Sequence, residues 1–241
     1  MKVTTSGVLT LGNQSELDAL TSSADERQWT EVRRIFLGPG VFTNLSLLSR
    51  TTNLDFIEFV SNGKKGISLD YLPLSADLTI NSNALMQSIS VLRGRSYREL
   101  RILETSKIHG DLDALDLKAT ELVFGGVSDQ IPKIKNPQET MGLLLEVRRG
   151  AAVDLKNIER FLGLNALHIK GIGISLKSSK SIAGLPKLDT LVLNGITDLD
   201  ELNWLNQLPK LKTLHLRKVN PEFEIAAKEL EPSVEVVYWD F

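Results

Sequence analysis

The sequence predicts an α/β solenoid, with about eleven parallel strands forming a concave sheet face and short helices and extended segments on the convex side. Two observations predict it. The first is a recurring pattern, L-x-x-L-x-L. It occurs at Leu164-Asn-Ala-Leu167-His-Ile169, again 24 residues on at Leu188-Asp-Thr-Leu191-Val-Leu193, and 23 residues further at Leu211-Lys-Thr-Leu214-His-Leu216. Within each copy the last two apolar residues alternate with outward ones, the period-2 mark of a strand with one buried face. The second is that such pairs can be followed in both directions. Toward the N-terminus they are Leu145/Val147, Leu122/Phe124, Leu100/Ile102, Leu78/Ile80, Ile57/Phe59, Ile35/Leu37 and Leu9/Leu11; toward the C-terminus there is Val237/Trp239. Their second members lie 21 to 26 residues apart throughout, the spacing of an array whose coils stack one on the next.

Taken in order, the chain begins with the strand at Leu9/Leu11. Ser15-Glu-Leu-Asp18 reads as an N-terminal helix cap, because a hydroxyl and an acid three residues on can each satisfy a free amide. The helix from Glu16 to Leu20, with Trp29 in the long first return, covers the end of the array over residues 1–31. Residues 32–233 hold the repeats. Their return segments read as short helices at Ala84–Leu92, at Asp154–Leu162 (Leu155, Ile158 and Leu162 on one side) and at Asp200–Leu208 (Leu202, Leu205 and Leu208). Ser128–Thr140 carries Pro132 and Pro137, lacks a helical face and reads as extended or irregular. Residues 234–241 supply a last strand and an aromatic cap. No linker or composition shift interrupts the 241 residues, so one domain is expected.

Composition narrows the function classes. The chain has no cysteine, which excludes disulfides, thiolate metal sites and a cysteine nucleophile. Its 28 basic and 30 acidic residues leave a net charge of −2, without the basic excess of a nucleic-acid binder, so no nucleic-acid partner is expected. The start Met1-Lys-Val-Thr-Thr-Ser-Gly7 turns polar too early for a secretory apolar region, and no apolar run reaches membrane length. A cytoplasmic protein with no membrane partner is the expectation. Phosphate-loop motifs are absent, and Gly38-Pro-Gly40 and Gly171-Ile-Gly173 read as turn glycines just past strands.

The L-x-x-L-x-L pattern at this period resembles the leucine-rich repeat family, in the small, cysteine-free form found among bacterial proteins. The family's turn asparagine is matched at Asn62 and Asn83 but replaced at Val127, Ile172, Ile196 and Val219. The turn backbone must then find its hydrogen bonds by other means, and an irregular arc is expected. The resemblance implies a binding protein without enzymatic activity or cofactor. Relatives of this kind include immunity proteins that neutralise a toxin, so a toxin is one candidate partner. Two less favoured readings are a hydrolase and a self-assembling structural protein, the latter joined through the Tyr238–Trp239 edge as a dimer rather than a monomer.

The candidate partner-binding residues follow from the alternation. The concave face is expected to present Arg34, Phe36, Phe56, Glu58, Asp77, Glu99, Arg101, Glu121, Glu146, His168, His215 and Tyr238, with Arg148, Lys170 and Arg217 just beyond their strands. Acids gather in the middle repeats and cations in the later ones. Arginine and aromatic side chains are the types that dominate interface energetics, and separated patches of charge orient a partner. His168 and His215 share this face with Val192 between them. Two strand spacings put their backbones roughly 10 Å apart, too far for one zinc ion unless both side chains converge, so no metal site is expected.

Overall fold

A computed structural model describes residues 4, 6–20, 26–38, 40–59, 77–80, 94, 96–103, 116–199, 203–228, 230 and 233–238. It is an α/β fold, mostly parallel sheet with few and short helices. Two compact units divide the chain, Met1–Ala119 and Thr120–Phe241. No helix among the described residues is long and apolar enough to cross a membrane.

The first unit carries β1 (Val8–Leu11), β2 (Arg34–Leu37), β3 (Phe56–Phe59), β4 (Asp77–Ile80) and β5 (Ser96–Ile102), each paired in parallel with the next. Parallel neighbours need a crossover between them. Helices α1 (Gln14–Ala19) and α2 (Glu26–Thr30) lie in the first crossover and a 3-10 turn at Ser46–Arg50 in the second. The alternation read from the sequence holds: Leu9, Leu11, Ile35, Leu37, Ile57, Phe59, Leu100 and Ile102 are all buried. Leu17 of α1 and Trp29 of α2 are fully buried beside them. The cap of α1 falls two residues before the expected Ser15. Asn13 accepts from the Glu16 amide, and Glu16 accepts in return from the Gly12 amide at 2.7 Å. This resembles a capping box built on asparagine, except that the glutamate takes the amide one residue before the cap.

The second unit contains β6 (Lys118–Val127), β7 (Gly142–Val147), β8 (Ala152–Asp154), β9 (Ala166–Lys177), β10 (Thr190–Leu199), β11 (Thr213–Arg217), helix α3 (Pro221–Lys228) and β12 (Glu235–Tyr238). Its parallel order is β6-β7-β9-β10-β11-β12, with β8 beside the second half of β9. Strands β6, β9 and β10 are long because they bend rather than stop. Each bend carries a residue in the left-handed region: Gly126 at φ +66°, Gly173 at +62° and Gly195 at +75°, joined by Gly150 at +68° after β7 and Lys218 at +49° after β11. Beyond the bend, Ala152–Asp154, Ser175–Lys177 and Asp198–Leu199 run alongside one another as a second parallel strip. These corners answer the missing turn asparagines. Amides meet carbonyls of the neighbouring segment, Gly150 on Ile172 at 2.9 Å and Asn220 on Ile196 at 3.0 Å. Side chains add to these backbone bonds, Thr197 Oγ1 donating to the Ile174 carbonyl and Asn220 Nδ2 to the Thr197 carbonyl, each at 3.3 Å.

Lys218 is the one non-glycine among these five corners. An L-residue there is disfavoured by about 1–2 kcal/mol, and its exposed side chain makes no ion pair or hydrogen bond among the described residues. Lys218→Gly is therefore expected to raise the melting temperature by a few degrees, about the effect of 1 kcal/mol in a chain of this size. A calorimetric scan of the two proteins checks it; an unchanged or lower value would sink the assignment of strain.

Several expectations change. β7 is set two residues earlier than the spacing implied: Leu143 pairs with Leu167 and Leu145 with Ile169. β12 slips by one, with Val236 opposite Leu214 and Tyr238 opposite Leu216. Asp154–Leu162 is not a helix; Asp154 ends β8 and only Ile158–Arg160 forms a 3-10 turn. Likewise Asn203–Gln207 is a 3-10 turn within the expected Asp200–Leu208 helix. Ser128–Thr140 is irregular: it forms one isolated bridge, Gln130 to Asp154, and a short 3-10 turn at Pro137–Glu139. Helix α3 occupies a return that the sequence pattern does not mark as helical. The Ala84–Leu92 helix, Asn62, Asn83 and Trp239 lie outside the described residues.

Candidate functional site: the outward sheet face

In the first unit the outward residues form two rows across the strands. Arg34, Phe56 and Asp77 stand opposite one another in the first, and Phe36, Glu58, Thr79 and Arg101 in the second. Together with Glu99 they line a groove of about 820 Å³. Thus Arg34, Phe36, Phe56, Glu58, Asp77, Glu99 and Arg101, all expected on this face, come together. The groove also takes in Arg98 and Asp55, which the alternation missed.

Its floor is organised by Asp77, only 4% exposed. The carboxylate accepts from Arg98 Nε at 2.8 Å and Nη2 at 2.7 Å, and its other oxygen accepts from the Glu99 amide at 2.8 Å. A buried carboxylate requires such partners. Its hydrogen bond, and then its charge, raise the Arg98 guanidinium above an already high ordinary pKa. Arg101 Nε donates to Glu99, closing a second internal pair. At the other end Phe36 and Phe56 meet at a tilt of 57° with ring centres 5.9 Å apart. The Arg34 guanidinium sits 5.9 Å from the Phe56 ring centre, a cation–π arrangement.

In the second unit, His168, Val192 and His215 form one outward row, as the spacing implied. The next row runs Glu146, Lys170, Asn194, Arg217. The shift of β7 puts Glu146 in the Lys170 row, where its carboxylate lies 2.5 Å from Lys170 Nζ. Arg148, expected beside Lys170, falls past the end of β7 in an exposed turn. Tyr238 sits in the row of core-facing Leu216, not of His215, and is 39% exposed; Val237 takes the place beside His215. Glu121 is outward and exposed, and its carboxylate lies over Gly142 of the next strand, where any Cβ would collide with it. Among the described residues no group of three or more His, Asp and Glu could hold a metal ion.

His168 is half-buried, and its Nε2 has no hydrogen-bond partner among the described residues. Burial, then the charge of Lys170, push its pKa below the ordinary histidine value; Glu146 opposes this and His215 adds to it. The folded state thus disfavours the protonated ring. Its contribution is favourable above the ordinary value of about 6.5 and is lost as pH falls from there through the depressed folded value. His168→Gln is expected to flatten that part of the stability profile. Urea unfolding over roughly pH 5 to 8 checks it, and an unaltered slope would refute it.

The chain matches no protein-family model, and no curated protein matches its sequence.

Proposed function

We propose that the chain is a non-enzymatic scaffold for protein–protein interaction, an α/β solenoid of leucine-rich repeats that binds a partner protein through its concave sheet face. The observation that carries this reading is the cell formed by Arg34, Phe36, Phe56 and Glu58. Two aromatic rings and an arginine stand outward on adjacent strands of regular register. Strand-borne side chains are held more firmly than loop-borne ones. Rings and arginines fixed in this way supply contact area at low entropic cost, which is why they recur at the centres of interfaces. The parallel pairing of each described strand with its neighbour at 21 to 26 residues supports the repeat reading, since stacked coils bury a shared core.

The test is affinity capture from native lysate with the full chain and with Phe56→Asp. A specific protein held by the first and weakened at least about thirtyfold in the second, the effect of losing an interface anchor, is the expected result. Lys187→Glu, on a different surface of the second unit, serves as the control and should retain the partner. Recovery of the same protein by all three chains with equal affinity would remove the face from consideration.

A further inference from the structure

Seven charged side chains line the first-unit groove, and five of them are neutralised within the protein. Asp77 pairs with Arg98, Glu99 with Arg101, and Asp55 with Arg33 at 3.8 Å. The two that remain are Arg34 and Glu58. Arg34 rests on the Phe56 ring and meets no carboxylate among the described residues. Glu58 makes neither an ion pair nor a hydrogen bond among them. The register places these four side chains in one cell, Arg34 opposite Phe56 and Phe36 opposite Glu58. The unpaired charges therefore occupy one diagonal and the rings the other. Diagonal neighbours on a sheet stand roughly 7–8 Å apart. Residues two apart in an extended chain are separated by about 6.5–7 Å and point to the same side.

We infer that the groove receives an extended segment of the partner protein in which one acidic and one basic residue are separated by a single residue. The acid pairs with Arg34. The base pairs with Glu58 and lies against Phe36, whose neighbouring ring already carries Arg34. The segment's backbone crosses the two rings. This rests on the protein-binding reading above and adds the chemistry of the partner. A polyanion such as nucleic acid fits less well, because Glu58, the one acid of the groove lining without a partner among the described residues, repels it. A lone cation meets Arg34 across the same cell.

The experiment is a display library of random peptides of about nine residues, long enough for an extended segment to cross a sheet face, panned against the full-length protein. The wild-type chain should enrich acid-x-base peptides, in one or both orders. Arg34→Glu should select base-x-base, and Glu58→Arg should select acid-x-acid. Neither side chain has a charge partner among the described residues, so Glu58→Arg should melt with the wild type and Arg34→Glu, which gives up only its place on the Phe56 ring, within a few degrees of it, which separates recognition from folding. The best wild-type peptide, made as a free peptide, should bind either variant roughly tenfold more weakly. Enrichment of acids alone, of no charged pair, or of one motif by all three proteins overturns the inference. If capture of a cellular partner still depends on Phe56 in that event, the charge pair fails alone; if that dependence is also missing, the protein-binding face fails with it.

Discussion

Gly195→Ala is expected to destabilise the second unit by roughly 3 kcal/mol or more, while Gly173→Ala, at an equivalent corner one coil earlier, should lose only about 1 kcal/mol. Both residues lie in the left-handed region, at φ +75° and +62°, so an added Cβ strains both backbones alike. They differ in what the Cβ would meet. At Gly173 no atom lies within 4 Å. At Gly195 the Cβ would stand under 3.0 Å from both the oxygen and the carbon of the Gly171 carbonyl. Backbone cannot rotate aside as a side chain can, so β9 and β10 would have to separate at this corner. Urea unfolding of the two variants measures the difference. Equal losses would mean that the strain is conformational only and that the coils are not in tight contact at this corner.

The second large effect is expected at Trp204, fully buried in the 3-10 turn of one coil. Its indole N–H donates to Ser179 Oγ at 2.9 Å in the 3-10 turn of the coil before. Trp204→Ala should lose about 3–5 kcal/mol, the usual range for emptying a large aromatic site. The more discriminating measurement is Ser179→Ala in two backgrounds. With Trp204 in place it strands a buried donor, at about 1–3 kcal/mol; with Trp204→Phe there is no indole donor to strand and the same change should cost less by about that amount. A double-mutant cycle by chemical denaturation reports the coupling. A coupling near zero would mean that the tryptophan holds its place by packing alone and that the hydroxyl contributes nothing to joining the two coils.

The strand rows were legible wherever outward positions differ in character from inward ones. Arg34-Ile35-Phe36-Leu37 and Thr190-Leu191-Val192-Leu193 leave little choice of face. The rows of Leu167 and Ile169, Leu191 and Leu193, and Leu214 and Leu216 align as the sequence implied. The reading failed where the apolar residues do not single out one pair, whether on one parity or on both. Gly142-Leu-Leu-Leu-Glu-Val147 offers two registers that bury a Leu or Val pair, and the paired strands choose the earlier one. Val234-Glu-Val-Val-Tyr238 is worse, because a slip of one residue exchanges faces without changing the number of apolar residues buried. At Asp154–Leu162, spacings of three and four suit a helix and a 3-10 turn equally. The choice is made by a bond to the neighbouring coil, the Leu155 amide donating to the Lys177 carbonyl at 3.0 Å, which no local pattern contains. In the candidate groove, seven outward residues stand where the alternation puts them, but Arg98 does not. It has the parity of buried Leu100, yet it is turned outward to serve the Asp77 carboxylate. Its signal is a charge on the next strand, visible only once the strands are laid side by side.

The regular pairing also bears on how the chain reaches its structure. Each described strand pairs with a neighbour only 21 to 26 residues away in sequence, as from Arg34 to Phe56 or Thr190 to Thr213. Against a length of 241 residues that is a mean separation of about one tenth of the chain, the range of helical bundles and well below that of β-sandwiches. A parallel sheet is ordinarily slow to form, because distant segments must find one another before any bond rewards the search. Here no described strand waits for a distant partner. Each strand can settle on one made shortly before it, so these strands can assemble in the order in which a ribosome delivers them.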